Sequence, residues 1–327
     1  MASIRLHGDR WQARVRRKGH PEESRSFATR IDAERWARAI ESEIDRGTYT
    51  STTESQRLTL RELIDRYIDE VLPSMKGAET DGIRLRALQR RPICSFSLSA
   101  LTPARVAKYR DDRLNEVSAG TVIRELAYLS SIINHARREW GVSIDNPIAK
   151  VRKPSTPKGR DRTLTKDEEE RLLNALRPVN RRSPWMLPLV VLAIETGMRR
   201  SELLALEWAD VDLSRRTATL HTSKNGDGRI VPLSSRAVGV LQSLPTSISG
   251  AVIPMHHFSV AAAFSRAVER AGIDHLRFHD LRHTAITRMA GKLPNVIELS
   301  AVTGHKSLKM LQRYYHPQAE ELARKLG

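Results

Sequence analysis

Cysteine is almost absent from this 327-residue chain. Cys94 stands alone, which excludes an internal disulfide and a cysteine-based structural zinc site. The opening, MASIRLHGDRW, has no apolar leader, so a cytoplasmic protein is expected. The longest apolar run, MLPLVVLAI at 186–194, falls far short of the ~20 residues that cross a bilayer. No membrane partner is therefore expected. Neither a GxxxxGK[ST] loop nor a GxGxxG turn occurs, so no nucleotide cofactor is indicated. Long repeats and low-complexity tracts are missing too. Acidic residues are scarce, 38 against 55 Lys and Arg, for a formal net charge of +17. That excess points to a polyanion, most often nucleic acid. Hydrophobic residues, at 40%, suffice for packed cores, and the length suggests two or three domains.

Residues 1–55 read as a small strand-and-helix unit. Trp11, Ala13 and Val15 alternate with polar neighbours, as in a half-buried strand, and 4–6 and 24–28 can pair beside it. Thr29 with Asp32 marks a helix start, Ala33, Trp36, Ala37, Ile40 and Ile44 follow at helical spacing, and Gly47 can end it. Arg14 and Arg16 share one sheet face, suited to a DNA groove.

Residues 58–149 read as all-helical. Thr59 and Glu62 form a capping-box pattern ahead of a Leu60, Leu63, Ile64, Tyr67, Ile68 stripe. Later helices carry Arg84, Arg86 and Arg90, then Arg105, Lys108, Arg110 and Arg113, as candidate phosphate contacts. A longer helix is predicted over about 119–139. Residues 150–163, KVRKPSTPKGRDRT, hold six Lys or Arg and two Pro, the composition of a basic linker, with Arg160 a further DNA candidate. Residues 164–327 form a third unit. It opens on a Thr165/Glu168 capping box, and a buried helix over 187–194 stops at Thr196-Gly197. A β-hairpin across 217–233 follows, with helices from 235 onward.

Four islands in this third unit carry possible chemistry: TGMRRSELLAL (196–206), TSKNGDGRIVPL (222–233), HDLRHTAIT (279–287) and TGHKSLKMLQRYYHP (303–317). His279 and His283 share a helix face as in the HExxH zinc motif, but Asp280 replaces the Glu and Arg282 adds like charge beside a would-be ligand. No third ligand follows, so a metal site is not expected.

Together the islands resemble the tyrosine recombinases, or phage-type integrases. The stretch from the linker onward looks most like recombinases that invert shufflon segments and their integrase relatives. The resemblance implies a multidomain, mainly α fold. It has a small N-terminal sheet-plus-helix arm-binding module (1–55), a helical core-binding domain (58–149), a basic linker (150–163) and a mostly helical α/β catalytic domain (164–327). It places catalytic roles on Arg199, Lys224, His279, Arg282, His305 and Tyr314, with Glu202 in support. Tyr314 is chosen over Tyr315 by its spacing from His305 and by the Tyr-x-His ending. It also implies double-stranded DNA sites as partners, a homotetramer with one dimer per site, accessory DNA-bending proteins and a location on the nucleoid. No cofactor is implied.

The chemistry agrees with those residue types. Fixed guanidiniums suit the charge that gathers on phosphate oxygens, imidazoles donate or shuttle protons, and a tyrosine can store the bond as a 3′-phosphotyrosine. On an α-helix adjacent residues point about 100° apart, so only one of the two tyrosines can face the phosphate. His283 and Tyr315 read as packing groups or as supports behind the catalytic residues, and Glu202 as a partner of Arg199 or His279, or merely a helix cap. Two rivals share part of the pattern: a DNA-binding regulator without strand chemistry, and a type IB topoisomerase-like enzyme.

Overall fold

The computed structural model describes residues 2–20, 22–46, 57–155, 159–179, 182–221, 228–245, 250–293, 295–315 and 323–324. The chain divides into two compact units, Met1–Lys158 and Gly159–Gly327.

The first unit opens with an antiparallel sheet of β1 (Ala2–His7), β2 (Arg10–Val15) and β3 (Glu23–Phe27), in that order. Alternation turns Ala13 and Val15 inward, against Ala33, Ala37 and Ile40 of α1 (Arg30–Asp45). The Thr29 hydroxyl accepts from the Asp32 N–H at the start of α1, as its sequence predicts. The helix runs to Asp45 with Arg46 as its cap, so the expected stop, Gly47, is the next residue. Gly47 lies outside the described residues.

A second core follows, built from α2 (Leu60–Glu70), α3 (Ala78–Gln89), α4 (Pro103–Leu114) and α5 (Ala119–Glu139). The Thr59–Glu62 capping box forms in both directions. Leu60, Leu63 and Ile64 pack against Leu126, Leu129 and Ile133 of α5 among the fully buried residues. Arg113 departs from expectation. It is buried rather than presented, because Glu125 (2.6 and 3.0 Å) and Glu116 hold its guanidinium inside the unit.

The second unit is built around α7 (Met186–Thr196), most of which is buried. It packs against α9 (Ser235–Ser243) and α11 (Phe278–Ala290). Gly197 ends α7 at φ +63°, a conformation that favours glycine, and the chain then re-enters a short helix, α8 (Arg200–Leu204). A three-stranded sheet, β4 (Val211–Asp212), β5 (Thr217–Leu220) and β6 (Arg229–Pro232), supplies the predicted hairpin. The remaining helices are α6 (Lys166–Ala175), α10 (His257–Arg270), α12 (Val296–Thr303) and α13 (Leu308–Leu311), followed by a 3-10 turn, Gln312–Tyr314. Because α12 packs on both β6 and α11, the starts of β6 and α8, the middle of α11 and the end of α12 meet in one place. Among the described residues no helix is long and apolar enough to cross a membrane.

Candidate active site

The cluster is organised around one buried carboxylate. Glu202 sits in the first turn of α8, where its side chain accepts from the Arg199 N–H (2.8 Å) and from the Arg199 guanidinium (2.7 Å). Its other partner is Arg229, at the start of β6, in a two-pronged ion pair of 3.0 and 2.7 Å. These cations hold Glu202 at about 2 despite a burial that works the other way. The carboxylate is thus a clamp between two arginines rather than a simple cap.

Arg229, in the second island, carries no role in the sequence reading. Besides Glu202 it donates to the Val302 carbonyl (3.1 Å) and lies against Gly304, which closes α12 at φ +68°. A Cβ at residue 304 would come within 3.0 Å of the Arg229 side chain, so the G-H pair needs its glycine for space as well as for conformation. Arg282, on α11, is 4% exposed and donates to the carbonyls of Gly197 (2.5 Å) and Thr303 (2.6 Å). Burial, and then the like charge of Arg199, brings its guanidinium down to about 10. It stays charged at neutral pH, next to Arg199, Arg229 and Tyr314.

His305 follows Gly304, and its Nδ1 lies 2.7 Å from the Thr303 hydroxyl. That hydroxyl gives its single proton to the Leu299 carbonyl (2.7 Å), so it accepts from the imidazole N–H. Nε2 is thereby left for a substrate. Tyr314 ends the 3-10 turn, packed beside Leu311 and Leu299, with its ring 6.5 Å from that of His305. Its hydroxyl lies 2.5 Å from His283 Nδ1. Tyr315 instead donates to the Leu293 carbonyl (2.6 Å). The two tyrosines thus diverge, as the sequence predicts, but they do so around a 3-10 turn leading into extended chain rather than on an α-helix. His279 is exposed, one helical turn before His283, with the two rings edge to face at 5.4 Å. Lys224 lies within 222–227, outside the described residues, as does His316.

The basic candidates elsewhere are placed as follows. Arg14 pairs with Glu22, and Arg16 is exposed. Arg84 contacts Asp81 (3.0 Å) and the Tyr128 hydroxyl, while Arg86 and Arg90 are exposed on α3 and at its end. Arg105 stacks over Phe96, and Lys108 pairs with Asp112 (3.2 Å). Arg160 is engaged within the second unit by a bidentate pair with Asp280 at the start of α11 (2.9 and 2.9 Å). The Arg160 carbonyl in turn accepts from Arg313, the neighbour of Tyr314. Among the described residues no group of three or more His, Cys, Asp or Glu could hold a metal ion.

His283 and His305 are both held at about 4, well below the ordinary 6.5, chiefly by burial and then by neighbouring cationic or imidazole groups. Between those values the unfolded chain binds more protons than the folded one, so stability falls as pH drops. The melting temperature of the DNA-free protein should therefore decline from pH 6.5 to 4, and less steeply in His305→Gln. Glu202 adds to the loss only below its unfolded value of 4.5. A melting temperature flat across this range would contradict buried neutral imidazoles.

Two guanidiniums held against one carboxylate, a third beside them on Arg282, two neutral imidazoles and a phenol form a cluster chemically suited to an anionic phosphorus centre. Residues 162–321 match the phage integrase family, and residues 56–154 match the phage integrase N-terminal domain. The chain belongs to the phage integrase family of tyrosine recombinases. It is 40% identical over 282 residues to a shufflon-specific DNA recombinase of Escherichia coli, covering 83% of this chain and 72% of that protein. A putative integrase/recombinase of Haemophilus influenzae is 34% identical, covering 98% and 89%. Among solved structures, the fold is similar to a lambda integrase tetramer bound to a Holliday junction, with TM-score 0.67 and 21% identity over 96% of this chain and 94% of that one. It is also similar to the Tn1549 transposon integrase in complex with circular intermediate DNA, with TM-score 0.65 and 20% identity over 83% and 99%.

Proposed function

We propose that this protein is a site-specific DNA recombinase that cuts and rejoins strands through a 3′-phosphotyrosine on Tyr314. The observation that carries the reading is the convergence of Arg199, Arg282, His305 and Tyr314, from three of the four sequence islands, on one cluster. Arg199 and Arg282 bind the non-bridging oxygens of the scissile phosphate, where charge builds in the transition state. His305, through Nε2, and His279 complete that cage. A bound phosphate raises the proton affinity of His305, so the ring takes up a proton and donates. Lys224 protonates the departing 5′ oxygen. Glu202 holds Arg199 in place.

The intermediate keeps the energy of the broken bond, so rejoining needs no ATP. The charge-stabilising groups are side chains, so no metal is required. Arm-site contacts fall to residues 1–55, with Arg14 and Arg16. The helical domain at 58–149 grips the core site with Arg84, Arg86, Arg90, Arg105 and Lys108, and Arg160 serves in the connection at 150–163. Two copies bind each site and four form the synapse, with accessory bending proteins where sites are long, acting on nucleoid DNA in the cytoplasm. Whether the outcome is integration, excision or inversion follows from the placement of the sites. A nicked duplex that traps the covalent adduct tests the reading. Adduct should form at an undiminished rate in excess EDTA. Loss on chelation with recovery on adding Zn²⁺ would restore the HDLRH metal alternative.

A further inference from the structure

His283 has no part in the roles above, yet it makes the closest contact to the nucleophile. Its Nδ1 lies 2.5 Å from Tyr314 Oη, with the two rings 5.9 Å apart and 29° from parallel. Helix α11 fixes the imidazole between buried Arg282 and Thr284. The C-terminal turn fixes the phenol, through fully buried Leu311 and the Tyr315 hydrogen bond to Leu293. Burial raises the Tyr314 phenol above its ordinary value, so it keeps its proton at neutral pH. His283 is neutral there. The phenol therefore donates, Nδ1 accepts, and the imidazole proton sits on Nε2.

We propose that His283 is the catalytic base for Tyr314, and this rests on the recombinase reading above. As the Oη–P bond forms and the P–O5′ bond breaks, the phenol proton passes to His283 Nδ1. The O5′ leaving group takes its proton from Lys224, the acid of the proposed function. In rejoining, the incoming 5′ hydroxyl gives up its proton there, the Oη–P bond breaks, and His283 returns its proton to the phenol. Nothing is oxidised or reduced.

The surroundings make the base conditional on substrate. His283 faces His279, Asp280 and Arg282 on its own helix, Arg313 and Tyr314 from the C-terminal turn, and His305 from the end of α12. The cationic neighbours oppose a proton on the ring in the DNA-free protein. A phosphodiester brings negative charge beside it and raises its proton affinity. The site is thus a weak base alone and a stronger one with DNA in place.

The test uses the full chain, a nicked trapping duplex and single-turnover adduct formation across pH 5.5–9. His283→Ala should slow adduct formation by ~10²–10⁴-fold, the usual weight of a positioned base. His283→Asn keeps a hydrogen-bond acceptor near Nδ1 but no basic atom, so it should also be slow, by at least about tenfold. Both rates should climb with pH as hydroxide replaces the base. Sulfur in place of the bridging 5′ oxygen, which leaves without an acid, should rescue Lys224→Ala and not the His283 variants. A wild-type rate and pH profile in His283→Asn would reduce His283 to a positioning group and overturn the proposal. Rescue of His283→Asn by sulfur would overturn it too, placing His283 on the leaving-group side. Should His283→Ala fail to fold, the Asn variant carries the decision. Absence of adduct in the unmodified protein would instead defeat the recombinase reading itself.

Discussion

Tyr314→Phe is expected to abolish the covalent DNA adduct, while Tyr315→Phe retains it at least in part. Each change removes one hydroxyl and little volume. The Tyr314 hydroxyl is the one that faces His283, with Arg282 and His305 close by. The Tyr315 hydroxyl is spent on the Leu293 carbonyl, where it helps anchor the turn. Losing that bond should cost about 0.5–1.5 kcal/mol of stability, visible as a lower urea midpoint. Tyr314→Phe should still bind DNA, since every positive charge stays in place. Gel detection of protein-linked DNA with both variants decides the matter. Adduct in Tyr314→Phe and none in Tyr315→Phe would shift the register of the last motif by one residue.

Glu202→Ala is expected to be the most damaging substitution for the fold of the second unit. The Glu202 side chain is 4% exposed and that of Arg229 is 8% exposed, with Arg199 close by. Removing the carboxylate leaves two guanidiniums without their counter-ion, beside a third on Arg282. Breaking a buried pair from one side typically costs about 3–5 kcal/mol, whereas an exposed pair costs at most about 1 kcal/mol. Urea unfolding should show the larger loss. A Glu202→Ala/Arg229→Ala cycle should return a favourable coupling above about 1 kcal/mol. Adduct formation should fall as well, because Arg199 loses the group that orients it. Added inorganic phosphate should recover part of the stability, since an anion in the cleft supplies the missing negative charge. A loss below about 1 kcal/mol would mean that the clamp is solvated and of little structural consequence.

Much of the local structure was legible in the chain. Thr29, Thr59, Thr102 and Thr165 mark the starts of four helices because a hydroxyl can satisfy a free N–H of the first turn. Gly197 marks the end of α7 because few other residues adopt its backbone angle without strain. Candidate site residues could be named as well, through the resemblance that the four islands carry, and Arg199, Glu202, Arg282, His305 and Tyr314 do lie near one another. The helix signals belong to single residues or to neighbours three and four apart.

What the chain alone left open were the partnerships between distant segments. Glu202 could have served Arg199 or His279, and the fold gives it Arg199 and Arg229. Arg113 and Arg160 share the residue type of the surface basic groups, yet both are drawn into ion pairs with Glu125 and Asp280. His283 read only as packing or as a support of the site because its partner lies 31 residues away on a turn whose direction depends on how Leu311 and Tyr315 dock. Periodicity and capping report the local backbone, and residue type reports the available chemistry. Which donor meets which acceptor is decided only when β6, α8, α11 and α12 pack together and exclude water from the charges they share.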